Sequence, residues 1–196
     1  MGHGRGDERA FRSLTEAKAP NAPGGLCDAP GMTDRPAVLI HRLSGRDLSP
    51  ADGLPPLLTA YHLCTEAGKG RAVDRVEALP ARYRAEILSP SSAFADDVVV
   101  IARSEGASVG CLVVTAPVGG RTEIKRLWVE PAVRGAGVAS ALVGCALDHA
   151  AQTGATPVAL SVWNWRPEAI ALYERLGFGV VGSWDARDGL VRMERA

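Results

Sequence analysis

The sequence predicts a mixed α/β fold, with a mostly antiparallel central sheet, one parallel crossover and about four flanking helices. Three observations predict it. Val98–Arg103, Ser108–Ala116 and Ile124–Val129 are rich in β-branched residues and are joined by Ser104-Glu105-Gly106 and Val118-Gly119-Gly120, so they read as three strands in hairpin order. A helix-length stretch then separates Ile124–Val129 from the apolar run Pro157–Val162, and strands joined by a helical crossover lie parallel. At 196 residues and 46% hydrophobic, the chain is long enough for one domain with a sizeable core and a tail.

The elements follow in order. Residues 1–35 are rich in Gly, Pro, Asp and Arg and read as a mobile N-terminal tail, in which a short amphipathic helix around Glu8–Ala17 would rest on Phe11 and Leu14, three apart. The folded domain is assigned to residues 36–196. Ala37–Arg42 suits a first strand. Pro55–Glu66 is a helix with an apolar stripe of Leu57, Leu58, Tyr61 and Leu63, ended by the flexible Ala67–Arg71. Ala72–Leu88 is a second helical region broken at Pro80, because an interior proline removes a hydrogen bond and clashes with the preceding turn. Its arginines read as a solvated face. After the three hairpin strands, a helix ends at Thr153-Gly154, glycine being the usual left-handed cap. The last helix opens at Pro167, carries Ala169, Leu172, Tyr173 and Leu176 on one stripe and stops at Gly177. Gly179–Trp184 and Leu190–Met193 close the sheet as a hairpin.

Charge and cysteine content narrow the function classes. Basic and acidic residues balance at 22 each, so no net field recruits nucleic acid or an anionic membrane. Cys27, Cys64, Cys111 and Cys145 are scattered without a C-x-x-C pair, a usage that suits a reducing cytoplasm. No stretch approaches about 18 apolar residues and the N-terminus has no apolar signal core, so neither a membrane span nor export by that route is expected. The four histidines show no metal-ligand spacing, and no metal is expected.

Everything is arranged around Thr122–Leu142. Its first part alternates as a strand, with Ile124, Arg126 and Trp128 expected on one face and Lys125, Leu127 and Val129 on the other. Pro131 ends it. Arg134-Gly135-Ala136-Gly137-Val138-Ala139 follows, opening a helix. The first N–H groups of a helix lack internal partners and carry its positive end, so an anion fits there and Arg134 can add a fork of donors. A nucleotide-hydrolase phosphate loop is excluded because no lysine follows either glycine. A dinucleotide turn needs a third glycine where Ser140 stands, and an acid about 20 residues on, where none occurs. It stays as the weaker alternative, beside a tight turn that holds no ligand.

The loop R-G-A-G-V-A, preceded by E-I-K-R-L-W-V-E-P and followed by A-I-A-L-Y-E-R-L-G-F, resembles the GNAT superfamily of acyl-CoA N-acyltransferases. The element order matches as well, over Pro36–Arg195 in layout and over Glu123–Phe178 in specific motifs. The resemblance implies acetyl-CoA as co-substrate. Its pyrophosphate would lie on Arg134, Gly135, Ala136, Gly137, Val138 and Ala139, and its pantetheine arm in a gap where the strand of Leu127, Trp128 and Val129 splays from Val158–Val162. The backbone of Leu127 and Val129 would bond the pantetheine amides. Many members place an asparagine seven residues before the tyrosine; here Arg166 holds that position and Asn164 stands two earlier. Either Asn164 reaches the cofactor from a shifted place or the role is lost, and Asn164 is carried as the candidate, with Arg166 the other side chain that could contact the cofactor.

Acetyl transfer needs a neutral amine, and an alkyl ammonium of pKa near 10 is only about one part in a thousand neutral at pH 7. Glu123 matches the base of histone-type members, and Tyr173 matches the general acid that protonates the departing thiolate. The resemblance therefore implies an N-acetyltransferase acting by direct attack in a ternary complex, on a small-molecule or peptide amine, with room for a homodimer. Tyr61, His62 and Tyr83 are candidate pocket-lining residues. A non-catalytic acetyl-CoA-binding regulatory module is the competing reading, and it has no use for both Glu123 and Tyr173.

Overall fold

The structure, a computed structural model, describes residues 37–182 and 187–196. The expected tail, with Phe11 and Leu14, lies outside the described residues, as does the end of the closing hairpin at Trp184 and Ala186. In chain order the elements are β1 (Val38–Ser44), α1 (Leu54–Gly68), α2 (Ala81–Leu88), the single turn α3 (Pro90–Ala93), β2 (Val98–Ser104), β3 (Ala107–Val114), β4 (Thr122–Val129), α4 (Val138–Thr153), β5 (Val158–Trp163), α5 (Pro167–Arg175), β6 (Gly179–Val181) and β7 (Leu190–Arg195). The mixed α/β class is confirmed. The strands form one seven-stranded sheet in the order β1-β2-β3-β4-β5-β7-β6. β4 and β5 pair in parallel and every other neighbouring pair is antiparallel.

Both faces of the sheet are covered, which explains why the central strands read as continuous apolar runs. Val100, Ala102, Leu112 and Val114 face a core with Leu142, Val143 and Ala146 of α4 and Tyr173 of α5. The alternate residues Val99, Ile101, Cys111 and Val113 face a second core with Leu54, Leu57 and Leu58 of α1 and Tyr83 and Ile87 of α2. Residues Val99 through Ala102 are fully buried in consequence.

Two expectations need correction. The region Ala72–Leu88 breaks at Pro80 as expected, but ahead of it only Val76–Ala78 forms a short 3-10 turn, and the helix proper is Ala81–Leu88. In β4 the expected alternation fails. Ile124 packs in the α4 core whereas Trp128 packs in the α1 core. The cause is a β-bulge. Cys111 pairs with Trp128 and Val113 with Lys125, so Arg126 and Leu127 together oppose the single residue Leu112. Arg126 takes φ 57°, a left-handed conformation that side chains other than glycine, asparagine and aspartate seldom adopt. After that extra residue the faces exchange, and Ile124 and Val129 share a side.

Candidate active site

The bulge sits where the sheet opens. β4 pairs with β5 only from Thr122–Val158 to Ile124–Leu160, although β4 runs to Val129 and β5 to Trp163. Each strand keeps its outer partner: Trp128 and Val129 stay on β3, and β5 stays on β7 over its whole length. A bulge bends and twists its strand, so beyond Arg126 the inner edges separate and expose a row of backbone groups to the gap.

On the α4 side the gap widens into a groove of about 780 Å3. Of the residues chosen from sequence, Leu127, Trp128, Val129, Arg134, Gly135, Gly137, Val138 and Ala139 lie on its wall. Gly135 has φ 77° and Gly137 φ 82°, so both positions require glycine. A Cβ added at either would meet no atom within 4 Å, which leaves bare backbone open to a ligand. Gly137 is the N-cap of α4 and supplies no side-chain cap, so the first N–H groups of this helix are free for an anion. Arg134 is drawn back onto β4: its Nε donates to the Val129 carbonyl at 2.9 Å, and its guanidinium lies 4.9 Å from the Trp128 ring centroid. The Trp128 ring belongs to the opposite core, with Nε1 donating to Glu130 Oε1 at 3.1 Å.

Ala136 and Asn164 lie on neither cavity wall. Asn164 is exposed, its N–H donates to the Gly189 carbonyl at 2.8 Å, and its side chain rests beside Gly189. Arg166 stands instead at the junction of the groove and a second cavity.

That second cavity, about 260 Å3, lies on the α1 side of the gap, and Glu123 and Tyr173 both line it. Leu127, Arg166 and Ala169 belong to both walls, so the two spaces meet between the strands. Glu123 is held along β3 by its N–H, which donates to Thr115 Oγ1 at 2.9 Å, and its carboxylate lies 3.2 Å from Lys125 Nζ. Tyr173 is buried, its ring edge-to-face with Phe178 at 5.8 Å. Burial pushes its phenol well above the usual range, and the Arg166 charge only partly opposes this.

Tyr61, His62 and Tyr83 line the same cavity. His62 stacks on Tyr83 with centroids 4.3 Å apart and meets Glu86 Oε2 through Nε2 at 2.8 Å. The Arg126 guanidinium donates from Nε and Nη2 to the two Glu86 oxygens, both at 2.6 Å. Burial alone would raise the Glu86 carboxyl, but Arg126 and His62 outweigh it and hold it at about 2. Burial lowers the His62 pKa, with Glu86 working against it. Sequence reading names His62 but not its partners Glu86 and Arg126, and it does not place Lys69 or Arg82 on the wall. Arg82 is one of the arginines expected on a solvated face; a basic residue directly before Tyr83, a pocket candidate, is the available signal. Among the described residues no group of three or more metal-binding side chains occurs.

Comparison with known proteins bears on this arrangement. The Acetyltransferase (GNAT) family profile matches residues 64–178. N-acetyltransferase family 8 member 2 of Rattus norvegicus is 38% identical over 89 residues, covering 43% of this chain and 39% of that protein. The IAA acetyltransferase of Azospirillum brasilense is 32% identical over 80 residues, covering 40% of this chain and 52% of that protein. The chain thus spans about half or less of the curated relatives it matches. Among solved structures, an acetyltransferase from Streptococcus agalactiae superposes with TM-score 0.63 at 12% identity, covering 81% of this chain and 97% of that one. The PaiA N-acetyltransferase from Thermoplasma acidophilum, in complex with coenzyme A, gives TM-score 0.60 at 18% identity over 81% of this chain and 98% of that one. The structures support the fold, and the profile, which covers more than half of the sequence, shows that the chain belongs to the acetyltransferase (GNAT) family.

Proposed function

We propose that the chain is an N-acetyltransferase that moves an acetyl group from acetyl-CoA to a primary amine by direct attack in a ternary complex. One observation carries this reading: the gap between β4 and β5 joins a groove ending at an uncapped, glycine-opened helix to a second cavity lined by both Glu123 and Tyr173. The 3′,5′-ADP and pyrophosphate end of acetyl-CoA would lie on the α4 N-terminus, held by backbone N–H groups of Gly135 through Ala139. Its pantetheine amides would add along the Leu127–Val129 edge that β5 leaves, as an extra strand does, with Arg134 already donating to the Val129 carbonyl there. The thioester then stands at the junction beside Leu127, Arg166 and Ala169.

The amine enters from the cavity side. Its lone pair attacks the thioester carbonyl carbon, forming the C–N bond. Its proton passes to Glu123, directly or through a water. The C–S bond breaks, and the departing thiolate takes a proton from Tyr173 Oη. A phenol of ordinary pKa near 10 already carries its proton at neutral pH, the state a general acid requires; burial raises that pKa further, so the proton is given up only as the thiolate charge develops beside it. Cys64, Cys111 and Cys145 are unpaired thiols, which supports action in a reducing, cytoplasmic setting. No helix of the described residues is long and apolar enough to cross a membrane.

The direct test is an acceptor screen with acetyl-CoA that follows free thiol release and confirms the acetylated product by mass. Turnover with at least one amine is expected. Tight binding of acetyl-CoA without turnover on any amine would instead favour a regulatory module.

A further inference from the structure

The acceptor cavity has an unusual charge inventory for a site that must receive an amine. Six cationic side chains line it, Lys69, Arg82, Lys125, Arg126, Arg166 and Arg187, against the one carboxylate of Glu123. Three of the six are matched by nearby acids. Lys69 lies 2.5 Å from Glu66, Lys125 lies 3.2 Å from Glu123, and Arg126 is gripped by Glu86. Arg166 and Arg82 are different. Among the described residues, Arg166 Nη2 donates to Thr65 Oγ1 at 3.1 Å and contacts Cys64 Sγ at 3.8 Å, and its guanidinium lies 4.8 Å from the Trp165 ring centroid. Arg82 Nη2 donates to Tyr83 Oη at 2.7 Å, with the guanidinium 4.6 Å from that ring. All of these partners are neutral.

Resting on the acetyltransferase reading above, we infer that the acceptor is a small amine that also carries a carboxylate, in the manner of a free amino acid, and that Arg166 is the group that receives the carboxylate. Arg166 is half-buried. A half-buried guanidinium with only neutral partners lacks a counter-ion, and its planar fork matches a carboxylate bidentately. It stands at the junction of cavity and groove, and its charge reaches the Tyr173 phenol, so an anion bound to it holds the attached amine close to the transferring acetyl group. The same positive wall repels an ammonium that brings no anion with it. It also favours loss of the ammonium proton, since a nearby like charge disfavours the charged form. A polyamine needs several carboxylates around it, and the wall offers one.

The experiment pairs substrates with a variant. The full-length enzyme is offered acetyl-CoA with the proteinogenic amino acids, with their α-amides, and with spermidine and kanamycin, reading kcat and KM by thiol release. At least one free amino acid is expected to exceed its own amide by about 10-fold or more in kcat/KM, because a charge-assisted pair is lost in the amide. In Arg166→Gln, KM for that amino acid should rise about 10- to 100-fold with kcat changed little, KM for the amide should stay the same, and Arg166→Lys should recover part of the loss. Acetyl-CoA affinity by calorimetry should stay within about threefold. Preference for an amide, spermidine or kanamycin, or turnover of none of the panel, overturns this inference alone. So does an Arg166→Gln enzyme that loses acetyl-CoA affinity but keeps the acid-to-amide ratio, since Arg166 then serves the co-substrate. If Arg166→Gln does not fold, the acid-to-amide ratio in the wild-type enzyme decides. A protein that fails to bind acetyl-CoA overturns the underlying reading as well.

Discussion

Ring and hydroxyl have separable roles at Tyr173. The ring fills the α4-side core against Phe178, while the residue also lines the cavity where the acetyl group would be transferred. Tyr173→Phe keeps the ring and removes one oxygen, so the melting temperature and acetyl-CoA affinity should hold. Turnover should fall about 10²–10⁴-fold, in kcat rather than KM, because the proton moves only in the transition state. A wild-type kcat in this variant would remove Tyr173 from the mechanism. Glu123 makes a complementary prediction. Glu123→Gln should lose most activity near neutral pH and recover part of it at alkaline pH, where the amine deprotonates unaided. A loss of equal size at every pH would assign Glu123 to structure or binding, for which its contact with Lys125 already provides a basis.

At the scale of elements, the loop from β4 into α4 was legible and the end of β4 was not. Gly135, Gly137, Gly154 and Pro167 carry their meaning locally: positive φ at the glycines and a first-turn proline in α5 follow from each residue's own sterics. The bulge has no such signature. The left-handed position is occupied by arginine, and what holds it there is Glu86, 40 residues away on α2. Alternation in sequence therefore continued through a point where the backbone had gained a residue. The convergence of the cavity cations is not legible for the same reason, since Lys69 and Arg82 meet Arg166 only once α1, α2 and α5 are packed. Asn164 was chosen by motif spacing, and the turn it occupies directs it to Gly189. The legible loop yields a sharp test. Gly137→Gln places a side chain at φ 82° in otherwise open space. It should cost the fold only about 1–2 kcal/mol of backbone strain while weakening acetyl-CoA binding at least tenfold. Unchanged affinity by calorimetry would move the pyrophosphate elsewhere.

Across the whole molecule, the sheet separates two layers with different tasks. The α4 and α5 side holds the groove, and the α1 and α2 side holds the acceptor cavity. Opening the sheet between β4 and β5 joins them, and it removes ladder bonds from the centre of the fold. His62 of α1, Glu86 of α2 and Arg126 of β4 tie that side together instead. Such a tie is pH-dependent, and its sign follows from the carboxyl. Glu86 ionises near 4.5 in the unfolded chain and at about 2 in the fold. The stability it contributes is therefore complete above pH 4.5 and is lost as pH falls toward 2. At about 1.4 kcal/mol per pH unit that contribution is on the order of 3 kcal/mol. His62 acts in the same direction: its folded pKa is lowered by burial, so the unfolded chain takes up a proton first as pH drops below about 6.5. Acid should thus loosen the α1–α2 layer. Glu86→Gln leaves the Arg126 charge without its partner and should cost about 3 kcal/mol or more at pH 7. It should also flatten the fall in stability between pH 4.5 and 2, measured by urea unfolding at a series of pH values. If Glu86→Gln and wild type lose stability in parallel down to pH 2, the acid sensitivity resides in other carboxylates and the trio is not the tie that replaces the missing ladder.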